Sequence, residues 1–304
     1  MKVTNFLNII KKSNLILISL FFLLFIFSIV CAKDEKDTAS EFNPFYGWVN
    51  SAMCRADGYG NWYEQFDDFE YVESGNRIGI VTYTGKKKDI VIPEKIKGLP
   101  VVAIGYYIFS HYGVTSVIIP DSVQITDTSE FPSTQVGNAK DAFSIMIYKN
   151  EITIIAYNHN KKNVVIPEKI KGLPVVAIGR AVFSDREFAS VVIPDSVKKI
   201  GTLAFGKNKI TNLILPNSLE KIGDWAFYGN QLTDLVIPNS VKTIGVRAFS
   251  YNKLTNVVLP NSVETIDHRA FAGNELEKII IPNSVRTIGE NVFDENVKII
   301  RKCD

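Results

Sequence analysis

The sequence predicts a repeat solenoid, an array of short coils that stack to form one continuous core. A 22-residue unit recurs five times without a register error from residue 188 onward, marked by Pro194, Pro216, Pro238, Pro260 and Pro282. A longer unit lies upstream of it. Self-similarity at fixed periods of this kind is typical of proteins built from stacked repeats. The 46% apolar composition supports a packed core.

Residues 1–31 have the layout of a secretory signal peptide, since Lys11 and Lys12 precede the uncharged apolar stretch 15–30. A membrane anchor is the alternative, but this stretch is shorter than the about 20 residues that a membrane span needs. The sequence SIVC at 28–31 is similar to a bacterial lipobox, which predicts lipidation of Cys31, and cleavage after Ala32 is the alternative. Without this segment the chain has 31 basic and 32 acidic side chains, so a general attraction to nucleic acid is not expected.

Residues 32–68 are predicted to form a tether and an N-terminal capping segment. The charged run 33–38 suits a tether, and no repeat phase is found before residue 69. An aromatic cluster follows, and we expect it to cover the apolar end of the first coil, which would otherwise be open to solvent. Its members are Phe45, Tyr46, Trp48, Trp62, Tyr63 and Phe66.

The longer, 74-residue period defines a first long repeat unit, 69–142, and the start of a second, 143–187. Residues 88–105 and 162–179 are identical at 16 of 18 positions. Each unit opens with two alternating apolar stretches around a polar turn, which predicts a β-hairpin. A Ser-, Thr- and Gly-rich stretch, 127–138, is predicted to loop out of the first unit.

Residues 188–296 are predicted to form five regular coils. In the coil that starts at Leu232, the side chains of Leu235 and Ile237 point to one face of a strand, because strand side chains alternate with a period of two. Pro238 ends that strand because it has no N–H to donate. The return path is expected to hold a tight turn and a short helical piece around Ala248 and Phe249. A final strand, 297–304, turns basic and is predicted to cap the C-terminal end.

The full pattern, Leu-Thr-x-Leu-x-Ile-Pro-x-Ser-Val-x-x-Ile-Gly-x-x-Ala-Phe, resembles the BspA-like, treponemal-type leucine-rich repeat over residues 69–300. The resemblance implies a curved solenoid with one short parallel strand per coil on the concave face. Short strands, turns and short helical pieces are implied on the convex side. It also implies a bacterial surface protein that binds host, matrix or cell-surface proteins. The family brings no catalytic residue. Together with the lipobox-like sequence at Cys31, export to the surface predicts a cell-surface or outer-membrane lipoprotein, with a secreted or periplasmic protein as the alternative.

The predicted binding face is the outward side of the strands. An exposed apolar ladder bordered by polar groups is typical of a protein-binding surface, although β-branched residues also suit strands for conformational reasons alone. The candidate residues are Val192, Ile214, Val236, Val258, Ile280, Asn212, Asp234, Asn256, Lys278, Thr211, Thr233 and Thr255.

Other polar and aromatic columns have structural interpretations. One asparagine recurs at the end of each of four successive coils, and its short amide side chain is expected to cap backbone groups. The four asparagines are Asn208, Asn230, Asn252 and Asn274. Trp225 and Tyr228 are expected to pack between neighbouring coils, and contact with a partner is the alternative. Cys54 and Cys303 are predicted to lie at opposite ends of the solenoid, too far apart for a disulfide, as free thiols or paired with another chain.

Three function classes follow. The first is an exported, lipid-anchored binding or adhesion protein, a monomer with a protein ligand. The second is a structural, self-associating envelope scaffold. The third, an enzyme, has little support because the GxSxG, HExxH and P-loop patterns do not occur, and neither a cofactor nor a metal is expected. The membrane is expected to be contacted only through the lipid anchor.

Overall fold

The computed structural model describes residues 64–105, 108, 113–125, 128–130 and 142–301. The predicted signal peptide with Cys31, most of the predicted capping segment, and the two cysteines Cys54 and Cys303 lie outside the described residues. Within them the chain forms short strands and turns, with a single 3-10 turn, Thr128–Glu130. The part of the chain that the structure describes contains no helix long and apolar enough to cross a membrane.

The first long repeat opens with a hairpin and continues with short strands. The hairpin is formed by the second and third strands, which pair antiparallel. Strand β1 (Glu64–Phe66) precedes this unit. The six strands of the unit are β2 (Phe69–Ser74), β3 (Arg77–Tyr83), β4 (Asp89–Val91), β5 (Lys95–Ile96), β6 (Leu99–Ile104) and β7 (Ser116–Ile119). Strand β1 pairs antiparallel with β2.

The second long repeat contains the counterparts of β2 to β6, each displaced by one period of the long repeat. They are β8 (Phe143–Tyr148), β9 (Glu151–Tyr157), β10 (Asn163–Val165), β11 (Lys169–Ile170) and β12 (Leu173–Ile178). The near-identity of the two sequences therefore corresponds to the same order of strands in both copies.

The regular coils contain two kinds of strand: one precedes the proline in four of the five coils, and the other directly precedes Gly201, Gly223, Gly245, Asp267 or Gly289. The strands are β13 (Ser190–Val192), β14 (Lys199–Ile200), β15 (Lys221–Ile222), β16 (Asp234–Val236), β17 (Thr243–Ile244), β18 (Asn256–Val258), β19 (Thr265–Ile266), β20 (Lys278–Ile281), β21 (Thr287–Ile288) and β22 (Lys298–Arg301).

The two kinds of strand form two parallel ladders. The inner ladder runs without a break through β12, β14, β15, β17, β19 and β21. The outer ladder, formed by the strands before the prolines and by the terminal strand β22, pairs β10 with β13, β16 with β18, and β20 with β22. The coil without an outer strand joins by a single bridge between Ser190 and Asn212. Partners in regular coils occupy equivalent repeat positions, as Ile244 and Ile266 do, so the register is the one that the repeat predicts.

A stack of phenylalanine rings runs through the middle of the regular coils. From Phe183 to Phe293, one ring per coil lies 5.0 to 5.6 Å from the next, with interplanar angles of 10° or less. The inward-facing side chains of both ladders lie in the same buried core, as Leu235 of the outer ladder (1% exposed) and Ile244 of the inner ladder (fully buried) do. Because each coil has two open apolar sides, this core exists only when coils stack.

The hairpin β8–β9 divides the apolar interior into two cores. Strand β8 pairs with β7 of the first repeat, and strand β9 pairs with β12 of the second. Ile145 and Ile154 lie in the core shared with the regular coils. Met146 and Ile155, their neighbours in sequence, lie in the core of the first repeat. Because adjacent strand residues face opposite sides, one hairpin serves both cores.

The return path of each regular coil differs from the expected short helical piece. Turns occupy the segment around Ala248 and Phe249. The residue before each Ala-Phe pair has a left-handed backbone, with φ of 59° at Leu203, 58° at Trp225 and 52° at Arg247. A left-handed residue cannot continue a right-handed helix, so the segment closes as a turn.

Candidate functional site

The five outward Val and Ile residues of the candidate binding face are all exposed. Their exposed fractions are 55% for Val192, 85% for Ile214, 65% for Val236, 48% for Val258 and 54% for Ile280. We call these five residues the outer column. Their sequence neighbours on either side point into the core; Leu235 and Ile237, which flank Val236, are 1% and 2% exposed. The alternation places one row of apolar side chains in solvent on successive coils.

The polar residues of the candidate face border the outer column, and all of them are exposed. Asp234 lies directly opposite Asn256 in the parallel register that also places Val236 opposite Val258. The threonine row lies further out, and the Thr233 hydroxyl donates to the Asp234 carboxylate across 3.0 Å. The exposed polar residues are Thr211, Asn212, Thr233, Asp234, Thr255, Asn256 and Lys278.

The same exposed position also occurs outside the five regular coils. Val91, Ile118 and Val165, which each precede a proline by two residues, are 63%, 43% and 68% exposed. Ile300, which pairs opposite Ile280 in β22, is 37% exposed. These four residues lie outside the predicted binding face, although the spacing to Pro93, Pro120 and Pro167 is a sequence signal for the first three.

A column of asparagine side chains holds successive coils together. The Asn252 amide donates to the carbonyls of Phe227 and Phe249, each across 3.0 Å, and its oxygen accepts from the Leu232 N–H across 3.1 Å. Asn208, Asn230 and Asn274 bond backbone groups in the same way. The prediction that these residues cap backbone groups is confirmed, and each cap also crosses to the preceding coil.

An aromatic cluster lies on the turns that connect the inner ladder to the asparagine column. Trp225 and Tyr228 have ring centroids 4.8 Å apart, and Tyr228 meets Tyr251 of the next coil at 5.3 Å. The Arg247 guanidinium lies over the Trp225 ring at 4.6 Å. Packing between neighbouring coils, expected for Trp225 and Tyr228, is therefore observed.

An ion-pair cluster joins three consecutive coils near the start of the regular repeats. The Glu187 carboxylate contacts Lys162 at 2.8 Å and Lys209 at 2.9 Å. The hydrogen bonds from these two ammonium groups, with Lys162 the larger influence, lower the pKa of Glu187 to about 2. Glu187 is thus held as a carboxylate by both partners at neutral pH.

The sequence matches a known repeat family over most of its length. Residues 74–174 and 176–300 match the family model described as BspA type leucine rich repeat region, in six copies. No curated protein matches the chain.

The chain also resembles several solved structures. A leucine rich cell surface protein from Faecalibacterium prausnitzii A2-165 is 26% identical over 80% of this chain and 56% of its own, with a TM-score of 0.34. The pneumococcal vaccine antigen PcpA is 22% identical over 78% of this chain and 48% of its own, with a TM-score of 0.34. The T. pallidum leucine rich repeat protein is 23% identical over 78% of this chain and 85% of its own, with a TM-score of 0.30. The chain spans about half the length of the first two proteins.

Proposed function

The chain belongs to the BspA-type leucine-rich repeat family, and from that premise we propose that it is an exported bacterial surface protein that binds a protein partner. The partner contacts the outer column and the polar residues beside it, the strand face predicted to be concave. The role is adhesion to a host, matrix or cell-surface protein, without catalysis or a cofactor. The observation that carries the proposal is the row of exposed Val and Ile side chains on successive coils.

The chemistry of this face suits a protein partner. The cores of protein interfaces are poor in charged residues and rich in apolar contact. Among the candidate residues only Asp234 and Lys278 are charged, and they lie two coils apart. Full burial of an exposed Val or Ile side chain contributes about 1.5–3 kcal/mol, so each member of the outer column that a partner covers adds favourable binding free energy, which offsets part of the cost of association.

The test is binding of the purified full chain to a panel of extracellular-matrix and host-surface proteins. A Val236→Glu/Val258→Glu double variant adds two charges to the outer column. The matched control is Thr265→Glu/Thr287→Glu, which adds the same two charges to the inner ladder. All three proteins are compared for an unchanged thermal transition before binding is measured.

Saturable binding by the wild type and the control, lost in the outer-column variant, is the expected result. Binding that survives in the outer-column variant would remove this face from the proposal. A wild-type chain that binds no protein of the panel and self-associates would favour the envelope scaffold instead.

We also propose that Cys31 carries the lipid anchor. The expected result is incorporation of a labelled fatty acid into the wild type and into Cys54→Ala, but not into Cys31→Ala. No labelling of the wild type would favour cleavage after Ala32 and a secreted or periplasmic protein, and equal labelling of Cys31→Ala would place the lipid on another residue.

A further inference from the structure

We propose that a pocket beside the first regular coils binds a sugar acid, a ligand that combines one carboxylate with several hydroxyl groups. The pocket has a volume of about 530 Å³, within the range of about 300–1,000 Å³ typical of small-molecule sites. It lies between the loop that follows β9 and the turn that precedes β13. Its lining includes His159, Asn160, Lys161, Ser184, Asp185 and Arg186. This site is separate from the outer column.

Arg186 is the residue that selects a carboxylate. Its guanidinium donates one N–H to the His159 carbonyl across 3.2 Å and lies over the buried ring of Tyr157, 5.7 Å from the centroid. Among the described residues no carboxylate forms an ion pair with it. A guanidinium has five N–H donors in a planar fork that matches a carboxylate, so donors remain for a ligand.

The surroundings of Arg186 favour an anion. Burial lowers the pKa of the Arg186 guanidinium, which reflects a cation held partly away from water. Lys162 and Glu187, which also line the pocket, neutralise each other in the ion-pair cluster. The lining then has two further positive groups, Arg186 and Lys161, and one negative group, Asp185, so its net charge is positive.

The rest of the lining explains why we choose a hydroxyl-bearing acid. Asn160 and Ser184 are both donors and acceptors, and His159 supplies a ring that lies 6.1 Å from the Tyr157 ring. A ligand with only a carboxylate would bind Arg186, and Asn160, Ser184 and His159 would then form hydrogen bonds only with water. A monosaccharide-sized acid has hydroxyls for them and a carboxylate for Arg186.

The pocket could not be located from the sequence pattern. Its two segments, 159–162 and 184–187, are loops of different coils, and the counterpart of Arg186 in the first long repeat is Tyr112. The guanidinium therefore occurs in one copy only, as expected for a local site and not for a residue that the repeat itself requires.

The test is a calorimetric titration of the purified full chain with each of four ligands: glucuronate, N-acetylneuraminate, glucose and a capped glutamate. We expect both sugar acids to bind at millimolar concentrations or below, and glucose and the capped glutamate to bind at least about tenfold more weakly, because each lacks half of the recognised chemistry. Absence of sugar-acid binding would overturn the proposal. Equal binding of glucose or of the capped glutamate would also overturn the assignment.

Two variants and one control locate the ligand. Arg186→Gln should weaken sugar-acid binding by about tenfold or more. Arg247→Gln removes another arginine that lies over an aromatic ring and should leave binding unchanged. Asp185→Asn removes the opposing charge and should tighten binding by about fivefold. A gain of affinity cannot come from misfolding, so this variant decides the question even if Arg186→Gln unfolds; an unchanged or weaker affinity in Asp185→Asn would place the ligand elsewhere.

Discussion

The asparagine column shows how one side chain can join two coils. Asn252 is 7% exposed and forms hydrogen bonds with three backbone groups. The Phe249 carbonyl belongs to its own coil, and the Phe227 carbonyl and the Leu232 N–H belong to the preceding coil. A buried backbone group without a partner costs about 1–3 kcal/mol. The column therefore stabilises the contact between coils as well as the turn of each coil.

The first prediction concerns this column. Asn252→Ala should lower the free energy of unfolding by about 3 kcal/mol, because the backbone groups that Asn252 contacts lose their partners. The measurement is the urea midpoint of the full chain. Asn239→Ala is the control, since Asn239 is exposed and has no side-chain partner among the described residues, and it should stay within about 0.5 kcal/mol of the wild type. Equal midpoints for both variants would contradict the assigned role.

Two serines at the same repeat position give a second prediction. The Ser240 hydroxyl donates to the Leu219 carbonyl across 2.6 Å, whereas the buried hydroxyl of Ser262, one coil later, has no hydrogen-bond partner among the described residues. Ser240→Ala should therefore cost about 1 kcal/mol, and Ser262→Ala should be neutral or slightly stabilising. Thermal unfolding of the two variants tests this difference. A larger loss in Ser262→Ala would mean that its hydroxyl is satisfied in solution.

At the scale of the elements, the ion-pair cluster links the loops before three consecutive coils. The pKa of Glu187 is lowered to about 2 from an ordinary value of 4.5, so its contribution to stability is fully present above pH 4.5. That contribution is lost as the pH falls from 4.5 towards 2, when the carboxylate takes up a proton in the folded protein.

The third prediction uses this pH dependence. Glu187→Gln should lower the urea midpoint slightly at pH 7 and much less at pH 2.5, because the wild type has lost part of the same interaction at the lower pH. Glu275→Gln, an equal charge change at an exposed residue outside any ion pair of the described part, is the control. The same midpoint difference at both pH values would argue against the cluster.

The elements also separate what the sequence could predict from what it could not. The strands before the prolines and the exposure of Val236 follow from period-two alternation, which a single coil already displays. The turn in place of a helical piece does not, because the left-handed position is filled by residues as different as Leu203, Trp225 and Arg247. The pocket around Arg186 could not be predicted either, because the arginine occurs in one copy only, where Tyr112 and Asn208 occupy the equivalent positions of other copies, so no recurring pattern marks it.

At the scale of the whole molecule, the β8–β9 hairpin separates the two apolar cores and connects the strands on either side of it. It joins β7 on one side to β12 on the other, while its side chains divide between the two cores. In stacked repeats, stability is approximately a sum of terms between neighbours, so damage on one face of such a partition should remain local.

The last prediction tests this division with two adjacent residues of β8. Met146 is fully buried in the core of the first repeat, and Ile145 is 2% exposed in the core of the regular coils. Each change to alanine removes buried atoms at a cost of about 2–5 kcal/mol. In hydrogen exchange of the full chain, Met146→Ala should speed exchange mainly in β3, β6 and β7, and Ile145→Ala mainly in β12 and the coils from residue 188 onward. Each variant is the control for the other, because both lie in one strand and share its backbone pairing. Exchange that rises equally on both sides in both variants would mean that the two cores unfold as one unit and that the hairpin transmits damage instead of confining it.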